Sequence, residues 1–206
     1  MREASRRLHL ILRRTIIRYC SIDIETTGLD HSHCQMIEFG AVVDDLNDPK
    51  PLAELPRFHC YILRDQYAGE PYALSMHAEI FKRINARADG YDYHIPQHAS
   101  VYFAGFLAEQ GLVEKHKQTP ITVAGKNFFK FDNRFLENDD WHDNVTFHRR
   151  YLDPASMYFD PKIDECLPDL KTCLQRAGIN KEVAHTAIDD ALDVIKLVRH
   201  NYKLGY

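Results

Sequence analysis

Ser21-Ile22-Asp23-Ile24-Glu25-Thr26-Thr27-Gly28 sets two carboxylates two residues apart, at the end of an apolar run and just before a Thr-Thr-Gly break. The run from Ile16 to Ile24 is almost continuously apolar and β-branched, which predicts a central strand. Residues i and i+2 of a strand point to one face, so Asp23 and Glu25 project together. Adjacent carboxylates repel each other and are costly to desolvate unless something positive lies between them. A divalent metal is a natural partner. A bare D-x-E also fits a strand end with two solvated acids, so the rest of the chain has to decide.

Working outward, Met36–Val43 and Phe58–Leu63 read as two further strands, and the three together suit an antiparallel meander. Ser75–Ile84 reads as a short helix capped by Ser75. Ala99, Tyr102, Phe103, Phe106 and Leu107 follow helical spacing, with Gly111 closing that helix. Pro120–Ala124 is a short fourth strand, Phe128–Leu136 a helix, and Val145–Phe147 a candidate fifth strand. Pro168–Ala177 and Ala187–Tyr202 complete the helices. Strands followed by helices indicate an α/β domain with a partly antiparallel sheet.

Two more segments carry acids in unexpected places. Gly125-Lys126-Asn127-Phe128-Phe129-Lys130-Phe131-Asp132 follows a strand and opens a helix, with Asn127 a plausible cap. Asp132 shares a helical face with Phe128, Phe135 and Leu136. His185-Thr186-Ala187-Ile188-Asp189-Asp190 begins the last helix. At about 100° per residue, Asp190 falls on the apolar arc between Val194 and Leu197, whereas Asp189 falls on the polar side with Asp193 and Lys196. Asp190 is therefore the candidate functional acid and Asp189 the solvated one.

The three segments, in this order and spacing, resemble the DnaQ-like exonucleases of the DEDDh group, which includes ribonuclease T, oligoribonuclease and polymerase proofreading subunits. The first motif matches at Asp23 and Glu25, the second at Asp132 within N-x-x-x-F-D, and the third at His185 and Asp190. The alternative third motif has Tyr four residues before the last Asp. Thr186 stands there, which assigns the histidine subtype. The resemblance spans about residues 16–202 and implies a ribonuclease H-like α/β fold, a five-stranded mixed sheet of antiparallel meander and parallel strands flanked by helices.

It also implies a chemistry. Asp23, Glu25, Asp132 and Asp190 would hold two divalent cations, Mg²⁺ or Mn²⁺, which prefer oxygen ligands. Such a pair can clamp the attacking and leaving oxygens of a phosphodiester. Asp23 would bridge both ions, Glu25 and Asp190 complete one position, and Asp132 supports the other. His185 would be the general base. The expected reaction is 3′→5′ removal of nucleoside 5′-monophosphates from single-stranded or short DNA or RNA. Thr26, Thr27, Gly28 and Leu29 match the family's pocket for the terminal sugar and base. His77 and Asn127 are further candidate substrate contacts. The competing reading is a catalytically inactive nucleic-acid-binding or polymerase-associated module, which the presence of all five motif residues opposes. A homodimer and a replication partner both stay open.

Composition bounds the rest. The chain has 206 residues, an ordinary single-domain length, with 45% hydrophobic and 27% charged residues. No apolar run approaches the roughly 20 residues that span a bilayer. The five cysteines, Cys20, Cys34, Cys60, Cys166 and Cys173, are odd in number and contain no C-x-x-C, which argues against a disulfide framework and for a reducing, intracellular setting. Residues 1–18 hold six arginines and one acid, a charge of +5, so the remainder carries −9 to give the net −4. The acidic body lacks the global field expected of a protein that grips long duplex DNA. Residues 1–15 are read as an Arg-rich arm outside a domain of residues 16–206. A disordered arm, an upstream start codon and organelle targeting are the alternatives for that arm.

Overall fold

The structure, a computed structural model, describes residues 18–114, 119–179 and 186–205. The arm of residues 1–15 and His185 lie outside the described residues.

One mixed sheet organises the chain. Strands β1 (Arg18–Thr26), β2 (Met36–Asp45) and β3 (Arg57–Ile62) form the expected antiparallel meander. Two short strands, β4 (Tyr93–His94) and β5 (Val123–Ala124), add in parallel to β3 and β1, giving the order β4-β3-β2-β1-β5. The strand at the sheet's centre is β2, with β1 beside it. The fifth strand was expected at Val145–Phe147. That segment makes only an isolated bridge, Phe147 to Ile121, and the sheet takes Tyr93–His94 instead. Two residues of strand are too short to show a period, which is why the pattern missed β4.

Seven α-helices are described. They are α1 (Pro71–Met76), α2 (Ala78–Ala86), α3 (Pro96–Glu109), α4 (Asp132–Asn138), α5 (Pro154–Met157), α6 (Leu170–Arg176) and α7 (Ala187–Asn201). The helix expected over Ser75–Ile84 is two helices meeting at His77, and His77 rather than Ser75 is the cap residue of the second. The helix expected from Phe128 starts only at Asp132. Asn127 does not cap it: its backbone sits at φ 60°, and its carbonyl accepts from the N–H groups of Lys130 and Phe131 in a turn. Asparagine tolerates that left-handed conformation better than most residues.

The alternation along β1 divides the core. Ile22 and Ile24 point into an aromatic cluster with Phe39, Phe103, Phe128, Phe135 and Trp141. Tyr19 and Val42 face α7, packing on Ala191, Val194, Ile195 and Val198. A buried pair fixes the far end of α7. Arg199 donates to both Asp44 oxygens at 3.0 and 2.6 Å, and the Tyr19 hydroxyl donates to the same carboxylate at 2.8 Å. Removing one partner of such a buried pair costs about 3–5 kcal/mol, so this clamp holds the helix firmly against β2.

Candidate active site

Asp23 and Glu25 leave β1 on the α7 face, opposite the aromatic cluster that holds Ile22 and Ile24. Asp23 pairs in register with Gly40 of β2, and that glycine matters. A Cβ there would lie 2.5 Å from the carbonyl carbon of Ala187 and 2.7 Å from the Ile188 nitrogen. Only glycine lets the first turn of α7 rest on the sheet beside Asp23. Thr186 caps that turn, its hydroxyl oxygen accepting from the Asp189 N–H at 3.3 Å and its hydroxyl donating to the Asp189 carboxylate at 2.7 Å. This reciprocal cap ties Asp189 down at the helix end, while Asp190 points to the sheet. One oxygen each from Asp23, Glu25 and Asp190 lie within 4.8 Å of one another. It is the one cluster of metal-ligating side chains among the described residues. Asp193, expected on the polar face, is in fact buried and pairs with Lys196 at 2.5 Å.

Asp132 approaches from the other side of β1. Strand β5 pairs with β1 only at Cys20 and Ser21, so the later backbone of β1 has no strand on that edge. The turn of residues 127–131 delivers Asp132 to this gap, where the Ile24 N–H lies close enough to favour its ionised form. Two strand features, an early stop of β5 and an i, i+2 carboxylate pair, thus assemble four acids around one strand end.

Their electrostatics are severe. Burial, then the charges of Asp132, Glu25, Asp190 and Glu38, hold Asp23 well above the usual carboxylate range. Burial, then Glu38, Asp190 and Asp132, push Glu25 up to about 8. Burial raises Asp132 to about 7, against the opposing pull of two backbone N–H groups and Lys126. An all-oxygen donor set of mutually repelling acids fits a hard divalent cation. Glu38 was not found from the sequence. It lies opposite Glu25 in the β1–β2 register and is 1% exposed. One of its oxygens meets His59 Nε2 at 2.6 Å, and the other is buried with no hydrogen-bond partner. A lone acid inside the apolar run Met36–Val43 was the available signal.

These shifts fix how the metal-free protein responds to pH. A carboxyl whose folded pKa is raised binds its proton more tightly folded than unfolded, so its contribution is full below its ordinary value and is lost as pH rises through the folded one. For Glu25 that window runs from 4.5 to about 8, and for Asp132 from 3.8 to about 7. In chelator, the thermal midpoint is expected to fall steadily between pH 5 and pH 8, and saturating Mn²⁺ should remove most of the fall. A midpoint that rises with pH in chelator would contradict the assembled cluster.

The remaining sequence candidates divide into those facing the cluster and those holding it. His77, 4% exposed, places Nε2 3.4 Å from Glu25 Oε2. The groups of Thr27 are engaged within the protein: its N–H donates to Gln35 O, its carbonyl accepts from Glu70 N–H, and its hydroxyl donates to Ala68 O. Thr26 donates to Gly28 O. Gly28 is closely wrapped, since a Cβ there would lie 2.5 Å from Cys34 Sγ and 2.8 Å from the Glu70 side chain. Leu29 is 76% exposed, and Tyr72 and Met76 of α1 are also exposed apolar groups. Asn127 donates its backbone N–H to Asp153 at 3.3 Å. His33, in the loop after Leu29, bonds to Asp30 and Ser32.

Comparison with known proteins agrees with this geometry. The family model described as exonuclease, RNase T, matches residues 20–198. No curated protein sequence matches the chain significantly. Among solved structures, the nuclease domain of 3′hExo, a DEDDh family member bound to rAMP, superposes with a TM-score of 0.69 at 14% identity, over 92% of this chain and 94% of that one. Cell-death related nuclease 4 (CRN-4) gives 0.63 at 16% identity, over 91% and 64%. E. coli exonuclease I in complex with a dT13 oligonucleotide gives 0.55 at 19% identity, over 88% of this chain and 40% of that one. No helix among the described residues is long and apolar enough to cross a membrane. With a matched family over nearly its whole length and a carboxylate cluster where that family's motifs fall, the chain belongs to the RNase T exonuclease family, the DnaQ-like DEDDh nucleases with a ribonuclease H-like fold.

Proposed function

We propose that this nuclease is a 3′→5′ exonuclease that releases nucleoside 5′-monophosphates from single-stranded or short nucleic acid. The observation that carries the reading is the convergence of Asp23, Glu25 and Asp190 within 4.8 Å, with Asp132 close enough to the same strand for its charge to act on Asp23. Asp23, Glu25, Asp190 and Asp132 would hold two divalent cations, Mg²⁺ or Mn²⁺. When bound, such ions stabilise the charge that develops on the oxygens of a phosphodiester undergoing hydrolysis. The chain's own groups do the rest. The carboxylates fix the reacting phosphate's position relative to β1, and Thr186 sets the start of α7 directly after His185. His185 takes the proton from the attacking water. His77 is poised at the rim beside Glu25, and Leu29 offers an exposed apolar surface for the terminal base. The rAMP and dT13 ligands of the neighbouring structures support a site sized for a nucleotide at a strand end.

The test is digestion of one single strand labelled at either end. With a 5′ label and added Mn²⁺ or Mg²⁺, a ladder shortening from the 3′ end is expected. With a 3′ label, the first product should be a labelled mononucleotide. Chelator should stop both, and a 3′-phosphate should block both. Internal fragments at early times, or full activity in excess chelator, would refute the assignment.

A further inference from the structure

The carboxylate cluster accounts for one end of a substrate only. Beside it lies a group of cations that the site does not use. Lys126 and Lys130 sit in the turn between β5 and Asp132, and Arg149 and Arg150 sit in the next segment but one. All four side chains are exposed, and none has a carboxylate partner within salt-bridge distance among the described residues. In a chain of net charge −4, four exposed cations outside any salt bridge on neighbouring segments stand out.

Hydrogen bonds and ring contacts bring the two segments together. Phe147 bridges Ile121 and Leu152 bridges Ala124, so residues 148–151 form a bend that bulges out beside β5 between the two bridges. Leu152 N–H donates to Val123 O at 2.9 Å, and Gly125 N–H donates to Leu152 O at 3.1 Å. The rings of Phe129 and Tyr151, each partly exposed, meet edge to face at 5.2 Å. The local acids are engaged elsewhere. Asp153 accepts from Asn127 N–H, Tyr151 hydroxyl and Ala155 N–H, and Asp169 caps α6 through Thr172 N–H. Lys126 is close enough for its charge to act on Asp132, and Asp132 for its charge to act on Tyr151. The strip therefore begins at the Asp132 side of the cluster and continues onto the bend of residues 148–151, which meets it through Phe129 and Tyr151.

We propose that Lys126, Lys130, Arg149 and Arg150, with Phe129 and Tyr151 between them, form the track that holds the single nucleic-acid strand lying 5′ of the nucleotide being removed. The proposal rests on the exonuclease reading for its direction, and on charge and aromatic chemistry for its occupant. Four exposed cations on two contacting segments suit the phosphates of a strand. Partly exposed rings among them match unpaired bases, which stack on aromatic side chains with little regard to sequence. Bases inside a duplex are already stacked and do not offer those faces. The track recognises phosphate and base faces, so it serves DNA and RNA strands alike.

The test compares wild type with Arg149→Ala/Arg150→Ala in binding a fluorescent 12-nucleotide single strand, as DNA and as RNA, by anisotropy in chelator over a range of salt. Each lost phosphate contact lowers the slope of log affinity against log salt by about 0.7 for a single strand, so a fall of about 1.4 is expected. Arg149→Lys/Arg150→Lys should restore most of that slope. With Mn²⁺ present, the alanine variant should raise KM more on the 12-nucleotide strand than on a dinucleotide. An unchanged salt slope, or failure of the lysine pair to restore it, would overturn the track. So would equal loss on dinucleotide and 12-mer. A protein that cleaves neither substrate yet shows the slope change would refute the nuclease reading and leave the track standing.

Discussion

Asp190→Asn is expected to lower turnover on a single-stranded oligonucleotide by about 10²–10³-fold or more, the loss seen when one preorganised electrostatic group is removed. Asp189→Asn, one residue away, should change it by less than about tenfold. The two side chains differ in what they touch. Asp190 contributes to the three-carboxylate cluster with Asp23 and Glu25. Asp189 bonds to the capping Thr186 and joins no such cluster among the described residues. The cap bond from the residue 189 N–H survives the change, and losing the side-chain half costs at most about 1 kcal/mol, a stability effect rather than a catalytic one. Calorimetric titration of Mn²⁺ separates them without relying on activity: affinity should fall in the Asp190 variant and hold in the Asp189 variant. Equal losses in both would show that the first turn of α7 is rotated from its position here.

That contrast also shows how far sequence pattern reaches. Helical angles alone separated Asp190 from Asp189, because a capped 15-residue helix keeps its period. The same reasoning failed at Asp193, four residues on. Its burial depends on how the helix meets its neighbours and on Lys196 reaching over it, which is a packing outcome. The strand argument for Asp23 and Glu25 held because a two-residue period tolerates no drift. Asp132 was picked out as an acid among aromatics, but for a local reason that proved incomplete. It was assigned to the face of a helix beginning at Phe128, whereas it begins its own helix and reaches the site across the open edge of β1 beside Ile24.

What stayed hidden was pairing between distant segments. Glu38 counts only because β2 lies antiparallel to β1 with Glu38 opposite Glu25, and nothing local in Met36–Val43 states that register. Gly40 likewise looks like a weak point in a strand. Its purpose appears once α7 is seen to touch the backbone there. Thr27 shows the reverse. It matched a substrate-pocket motif, yet its N–H, carbonyl and hydroxyl are all spent holding residues 35, 68 and 70. The motif at this position therefore preserves the loop that carries Gly28 and Leu29.

His185→Ala is expected to leave the fold and the carboxylate cluster intact and to lower turnover at pH 7 by about 10²–10⁴-fold, the usual contribution of a general base. The histidine precedes Thr186, whose cap is made with Asp189. Asp23, Glu25, Asp132 and Asp190 keep their oxygens, so Mn²⁺ affinity should change little. What is lost is the group that accepts the proton of the attacking water. Solvent hydroxide can substitute for that group as pH rises, so the deficit should narrow steadily above neutrality. Below the range where an imidazole becomes protonated, the wild type loses its own base, and the two enzymes should converge there as well. The measurement is turnover against pH for both proteins on one oligonucleotide, with Mn²⁺ titrations alongside. Near-normal turnover of the variant at pH 7 would make the histidine a structural residue. Loss of Mn²⁺ affinity would make it a ligand, and the division of labour between base and carboxylates would have to be redrawn.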